Sequence, residues 1–168
     1  MRTFSTLSPI PGFKSWLLNS LRAVARGEAS LDSLFIPSEQ EKLSLSYDLN
    51  AFIDSIKTNK WAQGNEDELQ SPLMRLCSRY LHSEKHRGAA LDSVANFHLR
   101  NGATLWRLNW KGDISIRGLS NSCGMMVNYR YFTDRLEENS TQYQETHTID
   151  VGDQIATLSA QADALIRS

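Results

Sequence analysis

The stretch 94–110 changes period halfway along. It reads Val94-Ala95-Asn96-Phe97-His98-Leu99-Arg100-Asn101-Gly102 and then Ala103-Thr104-Leu105-Trp106-Arg107-Leu108-Asn109-Trp110. Leu91 to Asn101 predicts a short helix. Asp92 or Ser93 can cap it, because a short side-chain oxygen accepts from the free N–H groups of a first turn, and Gly102 suits the position just past its end. His98 then lies near the helix C-terminus. From Ala103 the pattern turns to alternation in strand-forming residues. It places Leu105 and Arg107 on one face and Trp106, Leu108 and Trp110 on the other. A second strand is expected over Cys123–Tyr131, with Met125, Val127, Tyr129 and Tyr131 set against Met126, Asn128 and Arg130. The two strands, joined by a turn-bearing loop over 112–118, are expected to pair antiparallel. With several helices around them, the chain reads as a mixed α/β (α+β) protein.

Outward from this centre, the N-terminal run Phe4-Ser5-Thr6-Leu7-Ser8-Pro9-Ile10-Pro11-Gly12-Phe13 gives a further strand from Arg2 to Leu7. Pro9 stops it, since proline has no N–H for a ladder. Pro11 suits a first helical turn, and Phe13, Trp16, Leu17, Leu21 and Val24 follow at helical spacing up to Gly27. Ser8 therefore sits at a strand-to-helix junction. Further helices are expected from Pro37, with Ser38 and Glu41 as a capping box, over 46–59 behind Asp48, over 68–81 with Pro72 near the first turn, and over 150–166 behind Asp150. Residues 61–66 read as a loop, and 134–147 as a polar loop with a solvated His147. The run 82–88 reads as an exposed charged loop from which Lys85 and Arg87 can reach a phosphate. His82 and His86 are four residues apart, but no third ligand accompanies them and zinc sites need three or four, so no metal centre is expected.

The 168 residues fit one domain able to bury a real core, and 40% hydrophobic with 22% charged residues argues against disorder. A net charge of −1 provides no field for nucleic acid or an anionic membrane, and neither is expected as a partner. Cys77 and Cys123 are too few for a disulfide framework and read as reduced, buried thiols. No apolar run approaches the ~20 residues of a membrane span. Nothing resembles a signal peptide, so a cytoplasmic protein is expected.

Longer strings carry a resemblance. FSTLSPIPGFKSWL, LQSPLMRLCSRYL and the run from SEKHRGAALDSVANFHLRNG through SCGMMVNYRY resemble the C-terminal part of the malonyl-CoA decarboxylase family, nearly without gaps from Ser71 to Phe132. The resemblance runs from about Thr3 to the last helix. It implies loss of CO2 from malonyl-CoA to give acetyl-CoA, with neither metal nor organic cofactor. It implies a catalytic domain of the GNAT-type acetyltransferase fold, a mixed sheet open on one side to hold an acyl-CoA. It also implies catalytic roles for Ser8, in LSPIPGF, and for His98, in NFH. Decarboxylation leaves electrons on a thioester enolate, so donors aimed at its oxygen lower the barrier and a general acid must protonate carbon. His98 is the expected proton donor. Ser8 is expected to bind the departing carboxylate or to orient His98. Asn96, Asn128 and Tyr131 are possible polar neighbours, left outside the expected site.

The resemblance also implies what is missing. Members carry an upstream helical domain and a first catalytic half whose glycine-containing loop holds the CoA pyrophosphate at a helix N-terminus. Residues 1–168 contain no such loop. The chain is therefore expected to be the C-terminal half of that fold with extra helices: a fragment, a split product or a mis-started reading frame. It is expected to work with a complementing N-terminal half or as a homo-oligomer, and to be poorly soluble alone because of an exposed sheet edge. The alternative is a catalytically incomplete module that binds acyl-CoA or a subunit.

Overall fold

The structure is a computed structural model that describes residues 3–64 and 66–167. Its strands are β1 (Thr3–Pro9), β2 (Lys85–His86), β3 (Ala89–Ala90), β4 (Thr104–Asn109) and β5 (Met126–Phe132). Its α-helices are α1 (Phe13–Ala25), α2 (Pro37–Lys42), α3 (Leu49–Thr58), α4 (Glu66–Ser78), α5 (Ser93–Arg100), α6 (Ile116–Ser122), α7 (Leu136–Thr146) and α8 (Asp153–Arg167). Arg2, the expected first residue of the N-terminal strand, lies outside the described residues. The expected mixed α/β class holds. Among the described residues no helix is long and apolar enough to cross a membrane.

Three strands form one antiparallel sheet in the order β1-β5-β4. The β5 alternation is the one expected from sequence: Val127, Tyr129 and Tyr131 are buried, and Met126, Asn128 and Arg130 only half-buried. In β4 the expected phase fails. The register slips between Leu105 and Arg107, so Leu105 faces Tyr129 and Arg107 faces Asn128. The extra residue, Trp106, forms a bulge that resets which side chains point inward. Leu105 and Leu108 are therefore both buried while Arg107 is exposed, and Leu105 and Arg107 do not share a face.

The two sheet edges differ. Along β4, Leu105 N–H donates to Asp150 O at 2.8 Å and Gly152 N–H donates to Leu105 O at 2.9 Å. The Gln154 carboxamide then accepts from Leu108 N–H at 2.8 Å and donates to Leu108 O at 3.2 Å. One side chain thus stands in for a neighbouring strand. Gly152 is required there, because a Cβ would collide with the Trp106 carbonyl. β1 is the opposite edge, and among the described residues no strand pairs with its outer side. Phe4 and Leu7 on β1 are each 57% exposed.

The helices bury one continuous apolar cluster. Phe13, Leu17 and Leu21 of α1 pack with Phe52 and Ile56 of α3 and with Leu69, Leu73 and Leu76 of α4. Asp48 caps α3 through Ala51 N–H, as expected. Helix α2 is capped differently from expectation: Glu39, not Glu41, reaches back to the Ile36 N–H at 3.1 Å. Glu39 also binds Arg75 through two hydrogen bonds, at 2.9 and 2.6 Å, so this cap doubles as a buried ion pair. Pro11 precedes α1 rather than entering its first turn, and residues 60–63 wind as a 3-10 turn. Pro72 lies inside α4, not near its start, because the acidic residues from Glu66 extend the helix N-terminally.

Two segments expected as loops are ordered. Residues 136–146 form α7, and its contact with α5 is polar. Ser140 Oγ donates to Arg100 O at 2.7 Å, and Asn139 Nδ2 donates to Gly102 O at 3.1 Å. The 85–90 run forms a tight hairpin, in which His86 pairs with Ala89. Asp150 does not cap the last helix. It is held in front of it, accepting from Thr104 Oγ1 at 2.5 Å.

Candidate active site

Strand periodicity and one helix create the site. Because side chains alternate, Phe4, Thr6 and Ser8 of β1 share a face with their cross-strand partners Tyr131, Tyr129 and Val127 of β5. Helix α5 lies over that face. Asp92 fixes its start by accepting from Ala95 N–H at 2.9 Å, and this sets which side of the helix carries His98 downwards.

Ser8 and His98, 90 positions apart in sequence, meet as expected: Ser8 Oγ is 3.4 Å from His98 Nε2. Ser8 is buried, and its oxygen also shares a 2.9 Å hydrogen bond with Thr6 Oγ1. The other ring nitrogen, Nδ1, is 2.5 Å from the Tyr131 hydroxyl. The imidazole stacks on Tyr129, with centroids 4.3 Å apart and planes 20° from parallel. Tyr131 stacks in turn on Phe4 at 4.7 Å.

The proton arrangement follows from these partners. The Tyr131 hydroxyl has one partner among the described residues, His98 Nδ1, and burial raises its pKa, so the phenol keeps its proton. Donating that proton to Nδ1 leaves the imidazole N–H on Nε2, facing Ser8. Burial also pushes His98 below its ordinary value, so the ring is neutral at neutral pH. Its Nε2–H, facing Ser8, is then that of a neutral imidazole.

Other candidates resolve into structural roles. Asn96 accepts from the Tyr143 hydroxyl at 2.7 Å. Asn128 bridges β1 and β4, donating to Thr6 O at 3.0 Å and accepting from Asn109 Nδ2 at 2.9 Å. Cys77 and Cys123 are buried, and desolvation raises both thiols, Cys123 to about 12. His82 sits in a π-helical turn and His86 in β2, so no common helix face joins them. Among the described residues no group of three or more His, Cys, Asp or Glu can hold a metal. Sequence reading left out Tyr131 and Thr6. Their signal was the strand alternation, but only the β1–β5 register shows that it points at His98.

A cavity of about 510 Å³ begins at Pro9 and is lined by Pro11, Arg117 and Met125, without Ser8 or His98. Fold and site together define a mixed α/β domain whose strand edge presents a serine–histidine–tyrosine chain. A family model described as "Malonyl-CoA decarboxylase C-terminal domain" matches residues 1–166. A protein of Mus musculus named malonyl-CoA decarboxylase, mitochondrial, is 46% identical over 167 residues, covering 94% of this chain and 33% of the relative. One of Anser anser anser with the same name is 46% identical over 166 residues, covering 96% and 33%. The crystal structure of malonyl-CoA decarboxylase from Rhodopseudomonas palustris superposes with a TM-score of 0.74 at 32% identity, covering 94% and 33%. The chain belongs to the malonyl-CoA decarboxylase family, and it spans about a third of the length of the curated relatives it matches.

Proposed function

We propose that this chain supplies the serine–histidine part of a malonyl-CoA decarboxylase active site. Together with a complementing N-terminal half it converts malonyl-CoA to acetyl-CoA and CO2. The observation that carries the reading is the Ser8–His98 contact, with Tyr131 on the far ring nitrogen. In this reading Ser8 holds the substrate carboxylate or orients the imidazole. The bond between the carboxylate carbon and the α-carbon breaks, CO2 leaves, and its electron pair passes to the thioester oxygen as an enolate. His98 Nε2–H then delivers a proton to the α-carbon, and the ring is reprotonated from water. One proton is consumed per turnover. The α-carbon of a thioester enolate is more basic than imidazolate, so a neutral imidazole suffices as the acid, while the apolar platform of Tyr129 strengthens each donor aimed at the oxyanion.

The acetyltransferase-type fold belongs to the same proposal. What supports it is the sheet left open at β1. A cytoplasmic site of action is also part of it, and recovery of the tagged chain in a mitochondrial fraction would overturn that part. The second reading is an acyl-CoA- or subunit-binding module without turnover, favoured by the exposed Phe4 and Leu7 on the free edge.

The test is CO2 release from malonyl-CoA by the chain alone and mixed with a separately expressed upstream half. Activity in the mixture that His98→Ala abolishes, with substrate binding kept, is the expected result. No turnover from a folded mixture would leave the binding module.

A further inference from the structure

We infer that Arg87, Arg100 and His147 form a second ligand site, for a phosphate-type dianion, on the side of α5 facing away from His98. This does not rest on the proposed decarboxylase chemistry. Helical geometry separates the two sites: Asn96 and Arg100 are four residues apart and share a face, while His98 is two from each and points roughly opposite, at about 100° per residue. Asn96, Arg100, Arg87, Gln144 and His147 line one cavity of about 320 Å³, and no Asp or Glu is among its lining residues.

The two guanidiniums are left without carboxylates. Among the described residues neither Arg87 nor Arg100 pairs with Glu or Asp, a state they share with Arg22, Arg107, Arg117, Arg130 and Arg167. The negative ends of the flanking helices are neutralised by other donors. Arg100 O accepts from Ser140 Oγ at 2.7 Å, and His147 O accepts from the Lys85 ammonium at 2.5 Å. The guanidinium forks thus remain free for a tetrahedral oxyanion, whose geometry they match.

Backbone conformation gives an independent reason. Arg87 and Gly88 are the two central residues of the β2–β3 hairpin, with φ of 53° and 83°. Such a turn favours Asn or Gly at its first central position, and a larger side chain there costs stability. His147 is also left-handed, with φ of 60°, and its ring packs against Gly88, where a Cβ would overlap it. Arg87, in an unfavoured conformation, therefore brings its side chain to the same cavity as His147, which ends α7 in the left-handed region that histidine tolerates. An arginine where asparagine would fold better is what a binding role for its guanidinium predicts.

The experiment titrates the 168-residue chain with inorganic phosphate and, separately, with ribose 5-phosphate, at constant ionic strength set by sodium chloride. Binding is followed by calorimetry and by imidazole NMR. Saturable binding is expected, with His147 signals shifting and His98 signals unmoved. Tighter binding of the ester would assign the site to phosphomonoesters, and equal or weaker binding to free phosphate; either supports the proposal. Arg87→Asn should weaken binding about tenfold, as expected for loss of a charge-assisted pair, while raising Tm because the turn is relieved. Arg100→Gln should weaken binding comparably. Unsaturable binding, equal shifts with chloride alone, or unchanged affinity in Arg87→Asn would overturn it.

Discussion

Replacing Tyr131 by Phe removes one oxygen and keeps the ring, so the stack with Phe4, at 4.7 Å and 6° from parallel, survives. What is lost is the 2.5 Å bond to His98 Nδ1. A hydrogen bond of this kind contributes about 0.5–1.5 kcal/mol net, which moves the ratio of the two imidazole tautomers by about 2- to 13-fold. Long-range nitrogen–proton NMR on the 168-residue chain reads that ratio directly. The natural chain should show mainly Nε2–H, and the variant a mixture. The His98 titration should also move up toward its ordinary value, because the donor favouring the neutral ring is gone. In the complemented enzyme kcat should fall about tenfold with KM little changed, since roughly 1.4 kcal/mol of orientation is worth a factor of ten. An unchanged tautomer ratio and titration midpoint would refute the positioning role and leave Tyr131 as packing.

Three further outcomes follow from other parts of the molecule. Glu39→Ala strands the buried Arg75 guanidinium, whose side chain is 6% exposed, and should cost about 3–5 kcal/mol in urea unfolding; a loss below about 1 kcal/mol would show the pair to be solvated. Burial lowers both His98 and His82 below 6.5, so beneath that pH the unfolded chain binds more protons than the folded one. Stability is then full above the ordinary histidine value and declines as pH falls through it, and a Tm that stays flat from neutral pH to about pH 5 would contradict this. Gln154→Ala removes both contacts to the Leu108 backbone and should speed amide exchange at Leu108 selectively; uniform acceleration across β4 would instead mean general destabilisation.

The centre of the fold was legible because β5 and α5 are locally consistent: alternation in one, an Asp cap and a closing Gly in the other. Ser8 and His98 were legible through resemblance. Their contact depends on the β1–β5 register, which no local pattern encodes. Helix α7 was missed because its packing against α5 uses Asn139, Ser140 and Gln144, whose hydrogen bonds leave no apolar period to read. The Trp106 bulge was missed because a single inserted residue shifts the phase without changing composition. Tyr131 was visible as a strand residue, but its role appears only once α5 is laid across the sheet.

The Gln154 cover on β4 has a consequence for assembly. With one border sealed by a carboxamide and the other bare, the sheet can lengthen in a single direction. Two copies that joined border to border would expose only their sealed sides. Such growth is self-terminating: it ends in a closed pair instead of propagating into a fibre, and an incoming strand from elsewhere would compete for the same seat.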